Sequence, residues 1–419
     1  MLPPFSSRPF DSFGEVPRAD KNRAQRAELL EYERKDAMTT ATIHYERVKE
    51  IVIDAAELSR RHELMRSSMA KAGVDLVVVF STPLSAINVH YAANYDLFGD
   101  AAAVVVSLDA DPILYVEEQD LERATRVCAI RDVRPCGDFA AVCGSLLGRD
   151  GATFAGLEWV SGEFSAALSA WAGREIKNGG AHLLAASLIK TPVEQELIRQ
   201  AAAIADAGFL RGFDSLEAGM PEYVLAAEME YAMRAKGAVD NFGLLSAGKH
   251  NRVIGLPTSK PIEAGDTLIF EITPARLGRN YSAQLCRTIT VGPAGKKLKD
   301  CYAIQEEALE AAMALVKPGA LVCDLTKAQD DVISRYGFAD YCRAPYMRAR
   351  GHGFGAGRID LSRKNTKAIE AGMSFIIHPN QYFPDAGYLA LGEMIIVTES
   401  GVERLCSLRP GIFEKEAAA

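Results

Sequence analysis

The sequence predicts an α+β protein of two domains, a small α/β domain followed by a larger one. Three observations carry that expectation. At 419 residues the chain is too long for one ordinary hydrophobic core. Residues 46–189 alternate short β-branched runs with stretches of helical apolar spacing, the mark of α/β layering. From residue 190 to 419 a helix–helix–strand–strand order occurs twice, which suits two related α+β halves.

Taken in order, residues 1–45 are polar and charged, with a helical stretch at 22–35, and read as an N-terminal arm. Residues 57–72 have helical apolar spacing. Val74-Asp75-Leu76-Val77-Val78-Val79-Phe80 is a β-branched run typical of a buried strand. Residues 102–108 and 112–116 predict two strands joined by the turn Asp109-Ala110-Asp111. A strand at 153–158 and a helix at 162–172 complete this domain. A boundary falls at Lys190-Thr191-Pro192, where Thr191 before Pro192 can cap a long helix over 194–215. Helices follow at 222–236, 298–316 and 322–336. Strands are predicted at 266–273, 286–291, 373–378 and 393–398.

Composition narrows the function classes. The chain is 48% hydrophobic and 24% charged, as in a globular protein. It has no apolar run of about 18 residues to span a membrane. The start, Met1-Leu2-Pro3-Pro4-Phe5, lacks the basic stretch and apolar core of a secretory signal, so the expectation is cytoplasmic. A net charge of −8 argues against a nucleic-acid partner, which a basic face would recruit. The eight cysteines form no C-x-x-C pair and read as reduced packing thiols rather than a structural zinc site.

Several segments together resemble the creatinase, prolidase and aminopeptidase P family. They are Lys190-Thr191-Pro192 with Glu194, Ser246-Ala247-Gly248, Pro257-Thr258 followed by Gly265-Asp266, Arg287-Thr288, Lys317-Pro318-Gly319, Gly351-His352-Gly353-Phe354-Gly355, Gly372-Met373 and Val397-Thr398-Glu399-Ser400-Gly401. Their order and spacing are those of the family from about 190 to 405, and more loosely from 60. The resemblance implies a C-terminal pita-bread domain, a curved antiparallel sheet with outer helices. It also implies a creatinase-like N-terminal α/β domain and a homodimer in which the partner's N-terminal domain closes the site. Tyr95-Asp96-Leu97-Phe98-Gly99-Asp100 resembles the closing loop, which makes Phe98 and Asp100 candidate substrate contacts.

The metallopeptidases of the family hold two divalent metals on two Asp, one His and two Glu. By resemblance those positions fall on Glu271, Gln284, His352, His378 and Gly392, with Glu393 beside the last. Strand alternation turns Glu393 away. A neutral amide is a poor bridging ligand, so no dinuclear metal site is expected. One divalent metal on Glu271, His352 and His378 is the alternative. Two further family histidines fall on Ile254 and Ile359, and His250 lies four residues before the first. What remains is acid–base chemistry by His352 and His378 with Glu271. Gln284, Tyr281 and Asn380 are candidate polar contacts to a small-molecule substrate. Arg363 stands where creatinase has an arginine for the substrate carboxylate. His90 reads as a packing residue.

The resulting expectation is a creatinase-like hydrolase cleaving a C–N bond in a small amide, urea or guanidino compound, with ordinary Xaa-Pro cleavage disfavoured. The alternatives are a mono-metal hydrolase or lyase of the same fold and a non-catalytic binding member.

Overall fold

The computed structural model describes residues 51–347 and 349–416. The arm expected at 1–45 lies outside them. Helix α1 (Ala55–Ala72) begins where Asp54 accepts the Glu57 N–H at 2.8 Å and ends at Gly73, whose φ of 65° suits glycine. The chain continues through β1 (Leu76–Ser81), α2 (Ile87–Ala93), β2 (Ala102–Ser107), β3 (Ile113–Val116), α3 (Leu121–Val127) and β4 (Asp132–Pro135). After these come α4 (Phe139–Leu147), β5 (Ala152–Ala155), α5 (Gly162–Ala172) and α6 (Gly180–Ser187). The sheet order is β4-β3-β2-β1-β5, with β1–β2 and β2–β3 antiparallel and β1–β5 and β3–β4 parallel.

The β-branched run explains why β1 is central. Leu76, Val78 and Phe80 enter a core with Phe139, Phe154 and Leu168, while Val77 and Val79 enter another with Met65, Met69 and Leu183. A strand buried on both faces needs apolar residues at every position. The strand expected at 153–158 stops at Ala155, because Gly156 turns with φ 116°. Sequence patterning did not resolve α2, α3, α4, α6 or β4, all short or lacking strong periodicity.

The C-terminal lobe opens with α7 (Pro192–Ser215), started by a reciprocal Thr191/Glu194 capping box with Pro192 in the first turn. It packs along α8 (Glu222–Ala235). A Cβ on Gly208 or Gly212 would lie 2.6 or 2.5 Å from Met233 or Met229, so those glycines allow the close approach. Strands β6 (Asp240–Gly248), β7 (Thr267–Arg276), β8 (Tyr281–Ser282) and β9 (Leu285–Val291) come next, then α9 (Lys296–Met313) and α10 (Val322–Arg335). The last elements are β10 (Gly351–His352), β11 (Ser374–Ile377), β12 (Gln381–Phe383), β13 (Gly387–Leu389), β14 (Glu393–Val397), β15 (Val402–Arg404) and β16 (Ile412–Lys415).

Two sheets form, ordered β16-β9-β7-β6 and β10-β11-β14-β15, with β8 pairing β7 and β12–β13 a hairpin. Helices α7 and α8 share a core with the first sheet, and α9 and α10 with the second. A bridge from Gly392 N–H to the Cys286 carbonyl, 3.1 Å, joins the two sheets where the site lies. The α+β fold with a curved sheet under outer helices is therefore as expected.

Arg61 links α1 to the C-terminal lobe. It is fully buried, donates to Glu194 at 3.0 Å and to the Tyr281 hydroxyl at 2.6 Å, and lies 4.2 Å over the Tyr91 ring. All eight cysteines are free thiols. Among the described residues no helix is long and apolar enough to cross a membrane.

Candidate functional site

Glu271 sits mid-strand on β7, opposite Cys286 on β9. Its Oε1 accepts from Asn380 Nδ2 at 2.6 Å. The Asn380 amide cannot flip, because its Oδ1 accepts the Leu391 N–H at 2.9 Å. Burial raises the Glu271 pKa, and the Asn380 hydrogen bond opposes this only partly. Tyr388, on β13, lies in the field of Glu271 and beside Asn380. Gln284 is 2% exposed; its Nε2 donates to Thr273 Oγ1 at 3.1 Å, and its Oε1 has no protein partner. A buried acceptor without a donor is costly unless a ligand or water supplies one.

Two imidazoles come together on the segments around Arg350 and Asn380. Gly351 has φ 147°, and a Cβ there would lie 2.2 Å from the Ile376 carbonyl oxygen. Glycine thus lets β10 pair with β11 and present His352. His378 follows β11, its N–H bonded to the Arg350 carbonyl at 3.1 Å. The two rings stand 5.3 Å apart at 75°. His352 Nδ1 lies 3.1 Å from the Gly353 carbonyl oxygen, while His378 Nδ1 is buried without a partner. Burial lowers both pKa values, that of His378 to about 3. Burial thus disfavours the protonated His378 ring and weighs against its expected acid–base role.

Arg350, Thr273 and Tyr388 were not singled out in the sequence. Arg350 is fully buried and holds the segment between β11 and β12 that carries His378 and Asn380. It donates to Asp330 at 2.8 Å, the Asn380 carbonyl at 2.9 Å and Gln381 Oε1 at 2.9 Å. Its position directly before Gly351-His352-Gly353 was the available signal.

Other expected contacts lie elsewhere. Arg363 is paired to Asp330 at 2.6 Å, whose other oxygen holds Arg350, so its guanidinium is committed to a protein carboxylate rather than a substrate's. Tyr281 is 1% exposed and its hydroxyl belongs to the Arg61–Glu194 network, so it braces the lobes instead of lining the pocket. Phe98 and Asp100 lie on the loop before β2. Phe98 is 81% exposed beneath the Arg123 guanidinium, and the Asp100 N–H donates to Glu117. His90 is buried, with Nδ1 3.1 Å from Asn280 Nδ2. His250 Nε2 lies 2.9 Å from the Pro384 carbonyl. Ile359 is buried and Ile254 packs against the first-sheet core. Glu393 points to the opposite face, fully buried against Arg287, as strand alternation predicts.

These residues do not fit the family's metal pair. At Gly392 a Cβ would already meet Ile376 Cδ1 at 2.8 Å and Cys286 Sγ at 3.0 Å, so the space of the family's carboxylate is filled. Glu271 gives one oxygen to Asn380 and Gln284 binds Thr273. Among the described residues no group of three or more His, Cys, Asp or Glu is arranged to hold a metal. The mono-metal set Glu271, His352 and His378 is therefore not assembled as a ligand cage either. A separate cleft of about 230 Å³, lined in part by Lys249, Thr290, Lys297 and Asp385, shares no residue with this site.

Residues 196–399 match the model of metallopeptidase family M24. A Xaa-Pro dipeptidase of Pyrococcus furiosus is 30% identical over 224 residues, 52% of this chain and 63% of that protein. A Xaa-Pro dipeptidase of Lactobacillus helveticus is 28% identical over 222 residues, 51% of this chain and 58% of that protein. The chain thus spans less than two thirds of these relatives. The prolidase structure from Pyrococcus horikoshii OT3 superposes with a TM-score of 0.74 at 23% identity, covering 84% of this chain and 99% of that one. Dipeptidase PepE from Mycobacterium ulcerans gives 0.76 at 21%, covering 87% and 99%. At these identities the structural likeness speaks for the fold.

The relatives correct the functional expectation. They are named Xaa-Pro dipeptidases, which points away from a creatinase-like hydrolase of small amides, ureas or guanidino compounds. That expectation gave the exchanged ligand positions more weight than the peptidase lobe around them. Residues 196–399 thus match metallopeptidase family M24, and the fold around them is the pita-bread fold of the creatinase, prolidase and aminopeptidase P proteins.

Proposed function

We propose that this protein hydrolyses an amide bond in short peptides of the Xaa-Pro kind, using the pocket's own side chains where relatives carry metal ligands. The observation that supports this reading is the state of His352. A carbonyl oxygen only accepts, so Nδ1, 3.1 Å from Gly353 O, carries the ring proton. Nε2 of the neutral ring then keeps its lone pair. Burial lowers the His352 pKa, so the ring is neutral at pH 7 and able to take a proton.

A water oxygen adds to the peptide carbonyl carbon while its proton passes to His352 Nε2. The C–N bond breaks as the leaving amine nitrogen takes a proton from Glu271, whose carboxyl burial favours in the protonated form. Solvent returns the His352 proton to Glu271 at the end of the turnover. Gln284 Oε1, a buried acceptor without a donor, suits an N–H of the peptide. His378 stays neutral and orients rather than ionises. The working unit in this reading is a homodimer, with Phe98 and Asp100 of a second copy closing the pocket.

The test is an amine-release assay on a panel of dipeptides, with metal content measured on the same preparation and a chelator arm. Hydrolysis that survives the chelator and falls by about 10²-fold or more in His352→Ala supports the reading. Activity that arises only on adding a divalent metal overturns the side-chain mechanism. Failure to cleave any peptide overturns the peptidase reading itself.

A further inference from the structure

An aromatic wall stands beside the pocket and plays no part in the chemistry above. Tyr382 on β12 lies directly opposite Tyr388 on β13, so their side chains share one face of the hairpin. Tyr388 is the residue in the field of Glu271, and that face therefore continues from the reacting carboxyl. Tyr346 stacks on Tyr382, with centroids 5.4 Å apart at 19°. Tyr341 closes the group at 4.8 Å from Tyr346 and 5.7 Å from Tyr382, and His250 meets Tyr382 edge-on at 5.8 Å.

The wall is fixed from behind. Gln381 is fully buried; its Nε2 donates to the carbonyls of Tyr341 and Tyr382, both at 3.0 Å, and its Oε1 accepts from Arg350. In front it is open, for Tyr346 is 41% exposed. Aromatic rings held rigid and left wet are prepared for a flat apolar group, since little side-chain freedom remains to be lost on binding. Arg350 supports Gln381 and the His378–Asn380 segment together, so wall and pocket share one buried brace.

We infer that Tyr382 and Tyr346, with Tyr341 behind them, form a specificity subsite for an aromatic side chain on the peptide residue next to the scissile amide. This rests on the short-peptide reading and adds to it a preference for aromatic over small side chains. A ring stacked on this wall gains up to about tenfold in affinity over a methyl group, from pair energies of about 0.5–1.5 kcal/mol.

The experiment uses the full chain and paired dipeptides that differ only by Phe or Ala, at the first or the second position. The wild type favours the Phe peptide by up to about tenfold, mainly through KM. Tyr346→Ala, at an exposed ring, collapses that ratio towards one, while Tyr346→Phe preserves it. The same pairs, made with an unreactive secondary amine in place of the amide, are measured by calorimetry. If no peptide is cleaved but the Phe analogue binds better and loses its advantage in Tyr346→Ala, the peptidase reading fails and the subsite stands. Equal affinity for Phe and Ala analogues in the wild type, or a ratio unmoved in folded Tyr346→Ala, overturns the subsite.

Discussion

Replacing Asn380 by alanine isolates the couple at the centre of the site. The side chain makes two hydrogen bonds, from Nδ2 to Glu271 at 2.6 Å and to Oδ1 from the Leu391 N–H at 2.9 Å. Leu391 is fully buried, so water cannot readily replace the second, and its orphaned N–H costs about 1–3 kcal/mol. Glu271 is only partly exposed, and losing its donor costs about 1.5–3 kcal/mol if the carboxyl is charged and less if it is protonated. The bonds share one network, so the total is about 2–5 kcal/mol rather than a strict sum. Asn380→Asp keeps the Leu391 bond but sets two carboxyls together, so its deficit grows as pH rises and shrinks as they share a proton. The assay is urea denaturation of both variants at several pH values. A loss below about 0.5 kcal/mol in Asn380→Ala would mean that the couple is not a structural unit. A pH-independent deficit in Asn380→Asp would mean that Glu271 does not face residue 380.

Further outcomes follow from the same geometry. Glu271 has a raised pKa in the fold, so the folded state holds its proton more tightly and its contribution to stability falls as pH rises through the carboxylate range. Glu271→Gln, which still accepts from Asn380, should therefore match the wild type at low pH and exceed it near pH 7 in thermal melts. His378 is lowered to about 3, so its contribution is full above the ordinary histidine pKa and is lost as pH falls towards that value. Ring-nitrogen NMR should find it neutral across about pH 5 to 8, and a titration midpoint inside that range refutes its burial. Arg61→Ala leaves Glu194 buried without its guanidinium partner and should cost about 3–5 kcal/mol, read as a fall in the unfolding midpoint.

The sequence made the fold legible where one pattern dominated. The Val77–Val79 run, the Thr191 cap before Pro192 and the long helices were readable because each rests on contacts within a few residues. Strands such as β10, two residues long, are defined only by the partner they meet, so no local pattern announces them. The site divides the same way. The Gly-rich segment around His352 marked itself, since glycine there relieves a clash with Ile376. Arg363 and Tyr281 misled because their partners are distant. Asp330 lies 33 positions before Arg363, and Arg61 lies 220 before Tyr281. Sequence position placed these side chains near the pocket; the buried charges that claimed them were out of view.

The exchanged residues form a consistent set. A cluster of carboxylates needs cations, because like charges in a partly buried pocket raise each other's pKa. Here the Glu271 carboxyl is held by Asn380, and burial favours its neutral form. Both imidazoles are pushed towards neutrality, and the amide at 284 is tied to Thr273. The remaining volume is taken by Cys286 and Ile376 against Gly392. Two nearby buried carboxylates have guanidinium partners: Glu393 lies against Arg287, and Asp330 between Arg350 and Arg363. A site that had merely lost its ligands would leave unpaired charge or a void, and each costs stability. This site has no carboxylate cluster and no void at Gly392, and it leaves two polar atoms unpartnered, Gln284 Oε1 and His378 Nδ1. In the proposed peptidase reading, those two atoms are the ones left for a substrate's polar groups.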